Sequence, residues 1–401
     1  MTKIASYSSR DLIPQEEKLE LKKQAKSLFI GVPKEITFQE SRIAIVPDAV
    51  QLLVSRGHEV YIESNAGAGA NFSDEEYSEA GAKIIYDTKE IYKADVILKV
   101  EPPTLDEIDL MKGRQTLISA LQITTRSKSF IEKLAKKKIN CLAYEFIQDD
   151  SGMMPLIRSM SEIAGNASVL IASEYLSNVN LGKGLLFGGI AGVTPTEVVI
   201  LGAGTVGEFA ARSALGLGAS VKVFDNSLTK LRRLQNDINI RVFTSIIQPK
   251  VLEKALRRAD VVIGALCSYD KRTPCVVSKQ MVSQMKEGSV IIDVSIDQGG
   301  CFETSKITNH AKPTFNKYGV IHYCVPNIPS RVARTASYSM SNLLTPIILK
   351  VGDFGGLDNV IVSDVGLRQG VYICHGMVTN KMVGKWFKLD YKEIDLIIAS
   401  I

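Results

Sequence analysis

Gly202-Ala203-Gly204-Thr205-Val206-Gly207 directly follows an apolar run and opens a helical pattern carrying Ala210, Ala211 and Ala214. Glycines at this spacing suit a dinucleotide loop. The first permits a tight turn, the second lets the backbone approach a pyrophosphate, and the third lets the helix pack on the strand, with the helix N-terminus facing the phosphates. Asp225 ends the next strand pattern, 18 residues after Gly207, where a carboxylate accepts hydrogen bonds from ribose hydroxyls and repels a 2′-phosphate. NAD rather than NADP is the cofactor expected. A second run, Val290 to Cys301, ends in Asp293 and Asp297 ahead of Gly299 and Gly300. Asp297 is a candidate to face the nicotinamide; a carboxylate capping the glycine turn is the alternative. Asn327-Ile328-Pro329-Ser330-Arg331 reads as a hinge loop beside the cofactor or an ordinary connector. Arg42, next to an apolar strand pattern, has a planar fork that can hold a substrate carboxylate; a surface ion pair with Glu40 or Glu35 is the alternative.

The elements that must position these groups follow from the patterning. Strands are expected at 28–32, 59–62, 83–85, 96–100, 116–119 and 139–143, with helices between them marked by Pro47, Gly57, a Ser73/Glu76 capping box and Gly81. A long helix over 161–177 leads into a glycine-rich stretch. Strands then recur at 198–201, 221–224, 241–243, 261–263 and 290–294. A helical run after Asn327 suggests that the chain crosses back. The fold class expected is therefore α/β, with two Rossmann-like, doubly wound parallel-sheet domains flanking a cleft and the first domain discontinuous. Residues 1–155 plus 335–401 form the substrate domain, and 156–334 the NAD-binding domain. Residues 14–27 read as a short surface helix of no readable role.

Composition narrows the function. The 401 residues are 45% hydrophobic and 23% charged, as in ordinary globular chains, and the net charge of +5 is too weak to argue for a nucleic-acid partner. The apolar stretch 184–196 is broken by glycines and Pro195 and is shorter than the roughly 18 residues a membrane span needs. With no secretory signal pattern visible, a cytoplasmic location is expected. Six cysteines show no Cys-x-x-Cys or Cys/His ligand spacing, so neither a disulfide nor a metal site is expected.

The chain resembles the alanine dehydrogenase and transhydrogenase α-subunit family from about Phe29 to at least Leu344. The resemblance rests on Gly31-Val32-Pro33-Lys34-Glu35, Arg42 to Pro47, Arg56 to Val60, Ala66 to Gly69, Met160 to Gly165, the Gly202 loop and Ile296 to Glu303. It implies that Arg42 binds a substrate carboxylate, that Asp297 lies at the reacting centre, and that Ser161, Asp225, Lys230, Leu266 and Asn327 contact the cofactor. It also implies an amino-acid/keto-acid substrate and a homo-oligomer, dimeric or hexameric. Where the family carries a catalytic lysine this chain has Glu101, and where it carries a catalytic histidine, Gln122, 21 residues on. Oxidative deamination of L-alanine is thus expected to be slow, with Lys99 or His322 the substitutes nearest to hand. Two other readings fit the same replacements: a regulatory NAD(H)-binding protein, and a hydride exchanger that needs no general base.

Overall fold

Short apolar runs separated by helix-start signals build the first sheet. The computed structural model describes residues 26–180, 182–268 and 272–399. Strands β1 (Phe29–Val32), β2 (Glu59–Glu63), β3 (Lys83–Ile85), β4 (Val96–Leu98), β5 (Thr116–Ser119) and β6 (Asn140–Ala143) are all mutually parallel. Pro47 opens the first crossover helix. Ser73 Oγ accepts from Glu76 N (3.1 Å) while Ser73 N donates to Glu76 Oε2 (2.6 Å), closing a full capping box. The expected helix over 14–27 lies outside the described residues apart from positions 26 and 27, which are not helical.

The second sheet comprises β7 (Glu197–Leu201), β8 (Ser220–Phe224), β9 (Phe243–Ser245), β10 (Val261–Gly264) and β11 (Val290–Asp293), extended by an antiparallel hairpin, β12 (Thr314–Lys317) and β13 (Val320–Tyr323). Two strand expectations need correction. The strand expected at 241–243 begins only at Phe243, because Asn239 is left-handed and the Gln235 side chain engages both backbone groups of Val242. The strand expected to reach Val100 stops at Leu98, because Val100 N donates instead to Glu35 Oε1 (2.6 Å).

The long helix Pro155–Leu176 enters the second domain, and Ala333–Asp353 leaves it. The chain then adds β14 (Val371–Cys374) and β15 (Met377–Val378), giving the first sheet the order β15-β14-β6-β5-β4-β1-β2-β3. The first domain is therefore discontinuous. Its core joins Ile30, Ile62 and Leu98 to Leu344, Ile348 and Val360 from the returning chain. A fragment of residues 1–155 lacks that half of the core. It is expected to bind a hydrophobic dye and aggregate, whereas a monodisperse fragment unfolding cooperatively would contradict the shared core.

Both sheets reverse their strand order beside the cleft. In the second, order β12-β13-β11-β10-β7-β8-β9, successive strands leave β7 first on one side and then on the other, so a crevice opens beyond the carboxyl ends of β7 and β10. In the first, β1 and β4 are the equivalent neighbours. The carboxyl ends of β1, β4 and β5 carry Arg42, Glu101 and Gln122 onward into the cleft.

Candidate active site

The Gly202 loop leaves β7, and each glycine has its own reason to be there. Gly202 has φ +116, a conformation that disfavours any side chain. A Cβ on Gly207 would overlap the Gly202 carbonyl, whereas one on Gly204 would meet nothing within 4 Å and would point into open space. That space is a cavity of about 510 Å³ bounded by Gly204, Asp225, Lys230, Leu266, Ser161 and Arg158. The helix Thr205–Gly216 makes its first internal bond from Glu208 N to Gly204 O (2.9 Å), leaving the preceding amides available to an anion. Asp225 Oδ2 accepts from Ala203 N (2.8 Å) and Oδ1 from Ser227 N (2.7 Å), which fixes the carboxylate at the rim. Ala203, Thr205 and Val206 complete the loop. An open cradle at Gly204, an uncapped helix start and a rim carboxylate fit a dinucleotide.

Across the cleft, the apolar segment after Arg42 is not the strand expected. Ile43–Val46 is irregular, and its amides are taken by helix Ala333–Asp353: Ile43 N donates to Ser337 Oγ (2.9 Å) and Val46 N to Ser341 Oγ (3.2 Å). Arg42 is buried, so its ion pair is not the surface pair considered above. Nε donates to Glu40 Oε1 (2.8 Å) and Nη2 to Glu40 Oε2 (2.5 Å). The other edge of the guanidinium is turned to Met160 Sδ (3.5 Å) and Glu101 Oε1 (3.6 Å). That edge can still take a carboxylate.

Glu101 and Gln122 meet directly. Gln122 Nε2 donates to Glu101 Oε2 (2.6 Å), and the left-handed backbone of Gln122 (φ 48) is held where Leu121 N and Gln122 N both donate to Glu145 Oε1. Four carboxyls here, Glu35, Glu40, Glu101 and Glu107, share two cations, Arg42 and Lys99. Burial lifts all four. Arg42 more than offsets this for Glu40, and Lys99 does so for Glu107, so both end below the ordinary value. Glu101 has the weaker share: burial and the nearby Glu40 push it up to about 7, against the pull of Arg42 and Gln122.

The expected substitutes are otherwise engaged. Lys99 is buried between Glu107 (2.8 Å) and Glu35 (3.4 Å). His322 is buried in β13, stacked on Phe315 and bonded to Thr304 Oγ1 and Val320 O, and burial pulls it down to about 4.

On the second domain, Asp293 holds the glycine turn, accepting from Cys301 N (3.2 Å) and Ser305 Oγ (2.5 Å). Asp297 is thereby released to the cleft. It keeps solvent contact there, while the surrounding protein raises its carboxyl. Asn327 joins the two walls: its N donates to Asp297 Oδ1 (3.0 Å) and its Nδ2 to Glu40 Oε2 (2.8 Å). One polar chain thus runs from Asp297 through Asn327, Glu40, Arg42 and Glu101 to Gln122. Sequence reasoning named Glu40 only as an ion-pair partner of Arg42 and Asn327 only as a hinge-loop residue contacting the cofactor; nothing in the local spacing signals their contact across 287 residues.

The titration of Glu101 has a measurable sign. Its ordinary value of 4.5 applies to the unfolded chain and about 7 to the folded one. The stabilisation from keeping that proton is complete below the first value and is lost as pH rises through the second. Glu101→Gln stays neutral, so its Tm relative to the unmodified protein should climb from pH 4.5 to about 7 and then level off. A difference flat across that window would show that Glu101 is already ionised at low pH.

Two family profiles match almost end to end: the alanine dehydrogenase/PNT N-terminal domain over residues 31–164 and the C-terminal domain over 168–381. The chain belongs to the alanine dehydrogenase/PNT family. It is 41% identical over 366 residues to an alanine dehydrogenase of Methanococcus maripaludis, covering 91% of this chain and 98% of that one. It is 39% identical over 371 residues to that of Halomonas elongata, covering 92% and 100%. A solved L-alanine dehydrogenase superposes with TM-score 0.83 at 38% identity, covering 90% and 99%. A transhydrogenase from Sinorhizobium meliloti, at 22% identity, TM-score 0.75 and coverage of 88% and 99%, shares the fold. No described helix is long and apolar enough to cross a membrane.

Proposed function

We propose that the protein is an NAD(H)-dependent oxidoreductase acting on a small L-amino acid and its 2-oxo acid, with L-alanine and pyruvate the first pair to test. The observation that carries this reading is the polar chain from Asp297 to Gln122, which spans the cleft beside the Gly204 cradle. Bound NAD supplies the hydride acceptor. The outer edge of Arg42 orients the substrate carboxylate, and Glu101 exchanges the proton that amine oxidation releases. The balance is amino acid, NAD⁺ and water giving oxo acid, ammonium, NADH and, at neutral pH, one proton. Glu101 and Gln122 stand where the family resemblance implies a lysine and a histidine, so the proton here moves through a carboxyl rather than an amine or imidazole.

The test is NADH formation across a panel of amino acids, with binding of NADH and NADPH measured in parallel. NADH should bind about tenfold or more tighter, because the Asp225 carboxylate opposes a 2′-phosphate. Equal affinities would remove Asp225 from the cofactor reading. NADH binding without turnover of any amino acid would favour a regulatory protein or a hydride exchanger. A cytoplasmic homo-oligomer goes with the proposed reading, and light scattering reports the subunit number.

A further inference from the structure

Far from the cleft, the β14–β15 hairpin turns through His375 and Gly376, whose φ values of 52 and 85 define a type I′ turn. The turn holds the His375 imidazole beside Cys374, the last residue of β14. Asp358, in the first turn of helix Leu357–Ser363, completes a trio. His375 Nε2 lies 3.2 Å from Asp358 Oδ2 and Cys374 Sγ 4.0 Å from Asp358 Oδ1, with all three ligand atoms within 4.8 Å of one another. Tetrahedral zinc, with bonds of about 2.0 Å to N and O and 2.3 Å to S, requires N···O near 3.3 Å and S···O near 3.5 Å. The N···O separation lies close to its edge, while the Sγ···O separation, measured to the other carboxylate oxygen, is about 0.5 Å longer than its edge.

We infer that Asp358, Cys374 and His375 form a site for a zinc-class divalent cation, with the fourth position left to solvent. A thiolate, an imidazole and a carboxylate together select borderline metals over magnesium or calcium. The carboxylate is already aimed: Asn140 Nδ2 donates to Asp358 Oδ1 (3.1 Å), and Asn140 Oδ1 accepts from His375 N (2.8 Å), so one side chain orients two ligands. Cys374 is buried at 1% exposure, whereas His375 at 45% leaves an entry path for the ion. The expectation of no metal site rested on spacing along the chain. Asp358 reaches the turn only because β14 pairs with β6, which begins at Asn140.

The test uses the full chain with Cys267→Ser and Cys275→Ser, which removes the two exposed thiols, after treatment with a chelator. Titration with Zn²⁺ should give one site per chain, and Co²⁺ should give a thiolate-to-metal charge-transfer band in the near ultraviolet. His375→Asn preserves the turn, because Asn-Gly is a favoured type I′ pair, and should weaken zinc by about tenfold or more. Cys374→Ser should abolish the cobalt band. Asn140→Ser, which keeps all three ligands, should lower affinity by about 10- to 100-fold. Zinc binding unchanged in His375→Asn, or a cobalt complex without the thiolate band, would reduce the trio to an ion pair beside a buried thiol.

Discussion

Replacing Glu101 by Gln should lower the turnover of the preferred amino acid by about 10²- to 10⁴-fold, the usual worth of a positioned general acid/base. Glutamine keeps the size and the hydrogen-bonding partner Gln122 but has no proton to exchange near neutrality. The limb of the kcat/KM profile that breaks near pH 7 should vanish with it, while NADH affinity stays as it was. Loss of rate with the limb intact would mean that Glu101 only positions Arg42. The double change Glu101→Lys, Gln122→His separates the two readings of the site further. Histidine tolerates the left-handed backbone at 122, and its imidazole titrates near neutrality. If the unmodified protein turns over L-alanine only slowly, and the double change raises turnover by about one to four powers of ten, the native pair silences the chemistry and Glu101 is not its proton carrier.

Gly204→Val should remove NADH binding while leaving the fold untouched. Gly204 has φ −77 and ψ −170, extended backbone open to any residue, and its Cβ would point into the cavity rather than into protein. A valine there occupies the volume in which the pyrophosphate meets the helix amides. Two charge-assisted hydrogen bonds at about 1.5 kcal/mol or more each amount to a loss of roughly 100-fold or greater in affinity. Fluorescence titration with NADH reads the affinity, and an unchanged thermal transition without cofactor shows that the fold persists. Binding within a few-fold of the unmodified protein would place the dinucleotide elsewhere. Gly207→Val makes a poor control, since its side chain would strike the Gly202 carbonyl and damage the fold itself.

What was legible in the sequence was local. The Gly202 loop, Asp225, the Ser73 capping box and most parallel strands each depend on residues within about one βα unit, where spacing and chemistry coincide. The hairpins β12–β13 and β14–β15 escaped because their type I′ turns are Tyr318-Gly319 and His375-Gly376 rather than Asn-Gly, although glycine in the second position was a usable signal. The behaviour of Glu101 could not be read at all. It arises from burial and the nearby Glu40, left uncompensated because Lys99 goes to Glu35 and Glu107, and Arg42 chiefly to Glu40, a division set by the packing of three strand ends. Arg42 was found as a fork, but its inner edge is already filled, and that depends on Glu40 folding back from two residues away.

The discontinuous first domain also orders events during synthesis. Strands β1 to β6 emerge first, yet β14, which pairs against β6, and β15, which pairs against β14, follow more than 200 residues later. The intervening sheet contains all of its own strands and is free to close in that interval. At about 5–20 residues per second, the early strands wait on the order of tens of seconds with one edge unpaired. A ribosome-bound nascent chain therefore carries a finished nucleotide-binding unit beside an unfinished neighbour. The Leu142 side chain, which packs against Gly370 of the returning chain, is one that a holding chaperone would meet.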